Sequence, residues 1–167
     1  RTNPWMQESS NKIIQRGEIV SFDTDMVGPY GYCADISRTY VEGNNFSNNQ
    51  KKLYSMAVDQ INYNVRLIKP GMSFKEFTEK SWVLPEEYYG NRYSVMVHGI
   101  GLCDEWPAIR YPTDGGERSG AFETNMTITV ESYIGKVGGS EGVKLEQQYL
   151  VGKNNLELMS HHPLEDI

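Results

Sequence analysis

Asp23 and Asp25 stand two apart in Glu18–Asp25, a stretch whose first half has strand character. On a strand, residues two apart face the same way. Ile19, Ser21, Asp23 and Asp25 are therefore expected on one side, with Val20 and Phe22 on the other. Two full carboxylate charges about 4 Å apart repel by about 4 kcal/mol at an effective dielectric near 20, and a cation between them removes that penalty. Asp35 lies beyond the turn Gly28-Pro29-Tyr30-Gly31, on a stretch (Tyr32–Val41) that reads as a returning strand. A long antiparallel hairpin would bring it back to the first two acids. Taken alone, such acids are more often solvated residues at strand ends.

The second half of the chain adds weight. Glu131 interrupts the strand-like run Met126–Tyr133, and Glu146 interrupts Val143–Val151 beyond the Gly138-Gly139 turn. Adjacent antiparallel strands joined by that turn could hold both carboxylates together. His98, followed by Gly99-Ile100-Gly101, offers an imidazole where the backbone can come close. Three Asp, two Glu and one His form an oxygen-rich set with one nitrogen. Such a set suits two divalent ions bridged by carboxylates better than a thiolate-rich structural zinc site.

The elements that must position these residues read as follows. Ser47 is placed to cap a helix over Asn48–Ile68, with an apolar stripe of Leu53, Met56, Ala57, Ile61, Val65 and Ile68 and a stop at Pro70-Gly71. Ser73 caps a shorter helix over Phe74–Val83, with Glu76 in the capping-box position. Val95–Val97 is a short apolar run leading into His98-Gly99-Ile100-Gly101, Thr113–Ala121 a Gly- and charge-rich loop, and Asn11–Gln15 a possible helical turn in an otherwise irregular start. With no internal repeat or low-complexity linker, residues 1–167 read as one α+β body.

Composition excludes several classes. Of 167 residues, 16 are Lys or Arg and 22 are Asp or Glu, a net charge of −6 without basic clusters, which argues against nucleic-acid binding. No apolar run approaches the roughly 20 residues of a membrane span, and the aromatic content argues against disorder. Cys33 and Cys103 make no disulfide framework, so a reducing, cytoplasmic compartment is the default. The chain opens on Arg1 rather than Met and reads as a piece of something longer. Five of its acids belong to the proposed ligand set, so its acidity points to a cation site more than to a partner.

The order Asp…Asp…His…Glu…Glu, carried by Gly31-Tyr32-Cys33-Ala34-Asp35-Ile36-Ser37-Arg38-Thr39, His98-Gly99-Ile100-Gly101, Thr129-Val130-Glu131 and Gly142-Val143-Lys144-Leu145-Glu146, resembles the metal centre of the creatinase/aminopeptidase P/methionine aminopeptidase superfamily, the pita-bread fold. Two departures narrow the likeness. Asp23-Thr24-Asp25 offers two acids where the peptidases carry one, and Asp104 stands where the peptidases have a second His in a His-Glu-x-Pro context. Both, with Phe22-Asp23-Thr24-Asp25-Met26-Val27-Gly28-Pro29-Tyr30-Gly31-Tyr32, resemble the dimethylsulfoniopropionate (DMSP) lyase branch, the DddP type.

That resemblance implies the C-terminal, metal-binding portion of a pita-bread catalytic domain, with an N-terminal domain and the first part of the fold outside this chain. It implies Asp23, Asp25, Asp35, His98, Glu131 and Glu146 as ligands of two divalent ions, iron by family habit, with Asp104 as general base and Tyr93 as its active-site neighbour. The implied activity is β-elimination of DMSP to acrylate and dimethyl sulfide, by a cytoplasmic enzyme that is homodimeric at full length and of marine bacterial origin. Trp82, Trp106, Tyr93 and Tyr133 are candidates to face the sulfonium, although core packing is the commoner role for any one of them. A metallopeptidase of the aminopeptidase P or prolidase kind is the alternative, disfavoured by the missing second His. A non-catalytic, partner-binding domain is a further one, disfavoured by retention of the whole acidic set.

Overall fold

The computed structural model describes residues 11–116, 119–165 and 167. The hairpin is present but interrupted. Strands β1 (Ile19–Asp23), β2 (Met26–Val27), β3 (Cys33–Ala34) and β4 (Ser37–Val41) form two short antiparallel ladders, β1 with β4 and β2 with β3, joined through a 3-10 turn over Pro29–Gly31. The first ladder ends at Asp23 opposite Ser37, and the second begins at Met26 opposite Ala34. Tyr32–Val41 is thus not one strand: Thr24 and Asp25 face Asp35 and Ile36 across a gap. Thr24 Oγ1 stitches it, accepting from Ile36 N–H at 3.0 Å and lying 3.2 Å from Ile36 O. Asp25 sits at φ +30°, off the strand, so strand alternation does not describe its relation to Asp23. The expected turn of helix over Asn11–Gln15 does not form either. There the Glu18 carboxylate accepts from Gln15 N–H at 2.8 Å and from Lys12 Nζ at 2.7 Å instead.

Helix α1 (Asn48–Leu67) starts from a full capping box: Ser47 Oγ accepts from Gln50 N–H at 3.2 Å, and Gln50 Oε1 accepts from Ser47 N–H at 2.8 Å. Its buried stripe of Leu53, Tyr54, Ala57 and Ile61 also contains Gln60, which is satisfied by Tyr111 and Ser132. Helix α2 (Phe74–Lys80) is capped by Ser73 and ends short of Val83, because Ser81 turns to extended backbone and Trp82 N–H goes to Asn64 Oδ1. A short α3 (Glu86–Tyr89), which the sequence reading lacks, follows Pro85.

The body is a five-stranded antiparallel sheet of β5 (Val95–Ile100), β6 (Asp104–Arg110), β7 (Thr127–Gly135), β8 (Gly142–Val151) and β9 (Leu156–Leu158), in the order β6-β5-β7-β8-β9. Strands β6 and β9 are additions to the expected set, and the short apolar run at Val95–Val97 proves to be the start of β5, which continues to Ile100. Pro107 within β6 is tolerated because β6 is an edge strand with one unpaired side. Alternation sorts the central strands. Ile128, Val130 and Ile134 of β7 and Val143, Leu145 and Tyr149 of β8 enter the core beneath α1. Thr129, Glu131, Lys144, Glu146 and Gln148 take the opposite face.

The β1–β4 hairpin covers that opposite face, with Thr39 Oγ1 donating to Lys144 O at 2.7 Å. Arg38 then ties the chain end to β8, donating to Glu146 O at 2.7 Å and Pro163 O at 3.0 Å. Both central strands are consequently buried on both faces. Both cysteines are free, and among the described residues no helix is long and apolar enough to cross a membrane.

Candidate metal centre

Strand register places Glu131 directly opposite Glu146 on β7 and β8. His98 on β5 is paired with Thr129, one same-face step from Glu131. The His98 ring has Nδ1 3.0 Å from Gly99 O, which favours a proton on Nδ1 and aims Nε2 into the cluster. Nε2 lies 3.1 Å from Glu146 Oε1, 3.7 Å from Glu131 Oε1 and 3.8 Å from Asp35 Oδ2. Asp35 is set by its backbone N–H, which donates to Gln148 Oε1 at 3.3 Å. These four residues are buried and form the floor.

Asp23 and Asp25 form the exposed mouth. Ligand atoms of Asp23, Asp25 and Asp35 lie within 4.8 Å of one another, as do those of Asp35, His98 and Glu146. Asp35 therefore joins two groups. Ser37 Oγ lies 2.6 Å from Asp23 Oδ1 and 3.0 Å from Glu146 Oε2, so one hydroxyl orients an acid from each. The fold thus brings all six candidate ligands together.

Without a cation the cluster is electrostatically frustrated. Burial, then the charges of Glu146, Asp23 and Asp25, push the Asp35 carboxyl up to about 9. Burial also raises Glu131, to about 7 despite Lys144. Burial alone would lower His98, but the hydrogen bond to Glu146 and the charges of Glu131 and Glu146 lift it to about 10. Glu146 is held well below the usual carboxylate range, because Lys144 and His98 outweigh its burial. Asp35 Oδ1 and Glu131 Oε1 are buried with no hydrogen-bond partner among the described residues, an arrangement that a metal ion at that position would satisfy. Oxygen-rich, with one imidazole and two orphaned carboxylate oxygens, the cluster fits divalent ions.

Asp104 is the first residue of β6, half-buried and paired with Ile100, and its charge is among those that raise the Asp25 carboxyl. A register shift between His98 and Ile100 re-aims the backbone there. Gly99 permits it, since a Cβ on Gly99 would lie 2.1 Å from Trp106 O. Tyr93 donates its hydroxyl to Glu105 Oε1 at 3.1 Å, and its ring centroid lies 5.0 Å from Lys144 Nζ. Tyr93 therefore faces the cluster.

Of the other aromatics, Trp82 packs against the core and Tyr133 is buried with its hydroxyl against the backbone of Gly135 and Gly142, whereas Trp106 is exposed. A cavity of about 370 Å³ lined by Tyr32, Leu102, Cys103, Trp106 and Met126, among others, adjoins this segment but includes none of the candidate ligands.

Lys144, Ser37 and Gln148 are absent from the sequence-derived site. Lys144 and Gln148 flank Glu146 at two-residue spacing, so strand alternation was a sufficient signal for both. Ser37 required the hairpin register.

The chain belongs to metallopeptidase family M24, whose profile matches residues 1–153, and its fold is the pita-bread fold. Among curated relatives it is 40% identical to the dimethylsulfoniopropionate lyase DddP of Roseovarius nubinhibens and 38% identical to that of Roseobacter denitrificans, with 99% of this chain covered in each case. The chain spans 38% of the length of each of these relatives. The prolidase from Pyrococcus horikoshii superposes with a TM-score of 0.76 at 27% identity, covering 95% of this chain and 44% of the prolidase chain.

Proposed function

We propose that this chain is the metal-binding portion of a lyase that converts dimethylsulfoniopropionate to acrylate and dimethyl sulfide. The reading is carried by Asp104, whose charge reaches the Asp25 carboxyl at the mouth and which by resemblance takes the place of the peptidases' second histidine, in a chain 40% identical to a DddP lyase. Asp23, Asp25, Asp35, His98, Glu131 and Glu146 would hold two divalent ions, iron by resemblance. When bound, these ions would supply Lewis-acid stabilisation for negative charge developing on the substrate carboxylate.

The chain's own residues do the rest. Asp104 accepts the proton from the carbon next to the carboxylate. The electron pair of that C–H bond becomes the second bond of acrylate. The carbon–sulfur bond breaks, and its electrons leave with neutral dimethyl sulfide. Tyr93 and exposed Trp106 present aromatic surface suited to a sulfonium, and the Tyr93 hydroxyl anchors Glu105 next to the base.

Prolidase-type peptide hydrolysis is the second reading, favoured by the superposition on the Pyrococcus horikoshii enzyme. Incubating metal-loaded protein with DMSP and measuring headspace dimethyl sulfide, beside release of amino acid from Xaa-Pro dipeptides, separates the two. Dimethyl sulfide without peptide cleavage is expected; peptide cleavage without dimethyl sulfide overturns the lyase reading.

A further inference from the structure

Strand β4 carries Ser37 to the ligand cluster, yet β4 is not a ladder neighbour of β8. The two meet through side chains. Ser37 Oγ lies 3.0 Å from Glu146 Oε2, and Thr39 Oγ1 donates to Lys144 O at 2.7 Å. At the backbone, a single nitrogen of Arg38, Nη1, donates to Ser37 O at 2.9 Å and to Glu146 O at 2.7 Å. Ser37 and Glu146 are therefore joined twice, once by their side chains and once by their carbonyls through one guanidinium.

The other side of that guanidinium is held by residues 160–163. Arg38 is only 2% exposed. Its Nε donates to Pro163 O at 3.0 Å, and Nη2 donates to His162 O and, at 2.6 Å, to Gln147 Oε1. Gln147 Oε1 also accepts from Ser160 Oγ at 2.8 Å. All five N–H groups of the side chain are thus engaged, and all five acceptors are uncharged. A buried cation with no carboxylate on its donors is tolerated only while each donor is satisfied. Segment 160–163 supplies two of the acceptors and orients a third. Among the described residues its own hydrogen bonds go to Arg38, Tyr40, Gln147 and Gln148, none of them a candidate ligand. The segment is itself anchored, because Glu165 N–H donates to Tyr54 Oη at 2.7 Å and Leu164 and Ile167 pack against the core.

We propose that Arg38 is a positioning residue of the metal centre, and that residues 160–163 act on the centre through it. The segment fixes the guanidinium. The guanidinium fixes the backbones of Ser37 and Glu146, so that the Glu146 carboxylate and the hydroxyl that orients it keep one arrangement. The proposal rests on the reading of the six residues as a metal centre, and not on which reaction that centre performs.

Calorimetric titration with Co²⁺ alone, together with the visible absorption of the loaded protein, tests this. The proteins are the wild type, Arg38→Ala, a chain ending at Met159, and the two changes combined. Arg38→Ala should weaken Co²⁺ binding by about 10- to 100-fold and alter the visible bands, as loss of a partner behind a ligand does. Millimolar guanidinium, which fits the vacated acceptors, should restore both, a repair that a general folding defect would not show. The shortened chain should lose affinity in the same range, and shortening Arg38→Ala should cost nothing further. Wild-type affinity and bands in Arg38→Ala overturn the proposal. So does a combined loss equal to the product of the separate losses, because the segment would then act by another route. Wild-type protein that binds no Co²⁺ overturns the metal-centre reading, and the proposal with it.

Two milder variants keep the answer defined if either change prevents folding. Arg38→Lys keeps the charge but offers three donors from one point to five acceptors, and should weaken Co²⁺ binding by about tenfold. Gln147→Met removes the acceptor shared by Arg38 and Ser160 while leaving Leu164 and Ile167 in the core, and should weaken Co²⁺ binding in the same direction. Wild-type affinity in either overturns the proposal.

Discussion

Glu131 and Glu146 face each other on paired strands buried on both sides, whereas Asp23, Asp25 and Asp104 sit where ladders end. In the floor, geometry is set by sheet register, which cannot slip by one residue without turning every core side chain of β7 and β8 to the wrong face. In the mouth, geometry is set by a hairpin gap at Thr24-Asp25 and a bulge at Gly99. The floor therefore suits permanent, rigid ligation. The mouth suits groups that meet a substrate, and on the proposed reading Asp104 there is the group that carries the chemistry.

The comparison is most easily broken at Glu146, which touches His98, Ser37 and Lys144 at once. Glu146→Gln should weaken binding of the first ion by about a thousandfold or more, because it removes a charged ligand from the buried side. Metal analysis after dialysis checks this, and retention of both ions would show that the floor is not the metal seat.

The next largest effect is that of pH. Without a cation Asp35 and His98 keep protons up to about 9 and about 10, so the first ion must displace them. Affinity should rise about 10- to 100-fold per pH unit between about pH 6 and 8, with one to two protons released. Calorimetry in buffers of different ionisation enthalpy counts them. The metal-free protein should behave oppositely. Its folded state holds more protons than the unfolded chain, at Asp35 between 3.8 and about 9 and at His98 between 6.5 and about 10, so its stability falls as pH rises through neutrality. A metal-free melting temperature that climbs from pH 6 to 9 would contradict this.

Asp25→Asn, at the mouth, should weaken only the second ion, by about ten- to a hundredfold, leaving the first unchanged. Loss of both ions would erase the distinction between the two regions. Gly99→Ala is the mildest: the new methyl would force the Trp106 carbonyl away, destabilising the fold by about 1–3 kcal/mol and displacing Asp104 while the floor keeps its ion. Thermal melts and metal content measured together check both parts.

How much of this was legible in the sequence follows the same division. The floor was: Glu131 and Glu146 lie in runs with strand periodicity separated by a Gly-Gly turn, so their pairing followed from local pattern. Helix α1 was legible through Ser47 and its apolar stripe. The mouth was less so. Asp25 lies at positive φ in a gap that only the two registers define, and Thr24 bonding across to Ile36 leaves no periodic trace. Strand β6 was hidden by Pro107 and by Asp104-Glu105, which read as loop chemistry until the strand proves to be an edge. Lys144 needed only the alternation already applied to Glu146.

The most direct test measures metal content and dimethyl sulfide release on one sample of Asp104→Ala. If the floor and the Asp23–Asp25 mouth hold the ions while Asp104 moves the proton, the variant keeps wild-type metal content and loses about 10²- to 10⁴-fold of its turnover of DMSP. A variant that loses its metal would make Asp104 a ligand, and one that still releases dimethyl sulfide at the wild-type rate would remove it from the reaction.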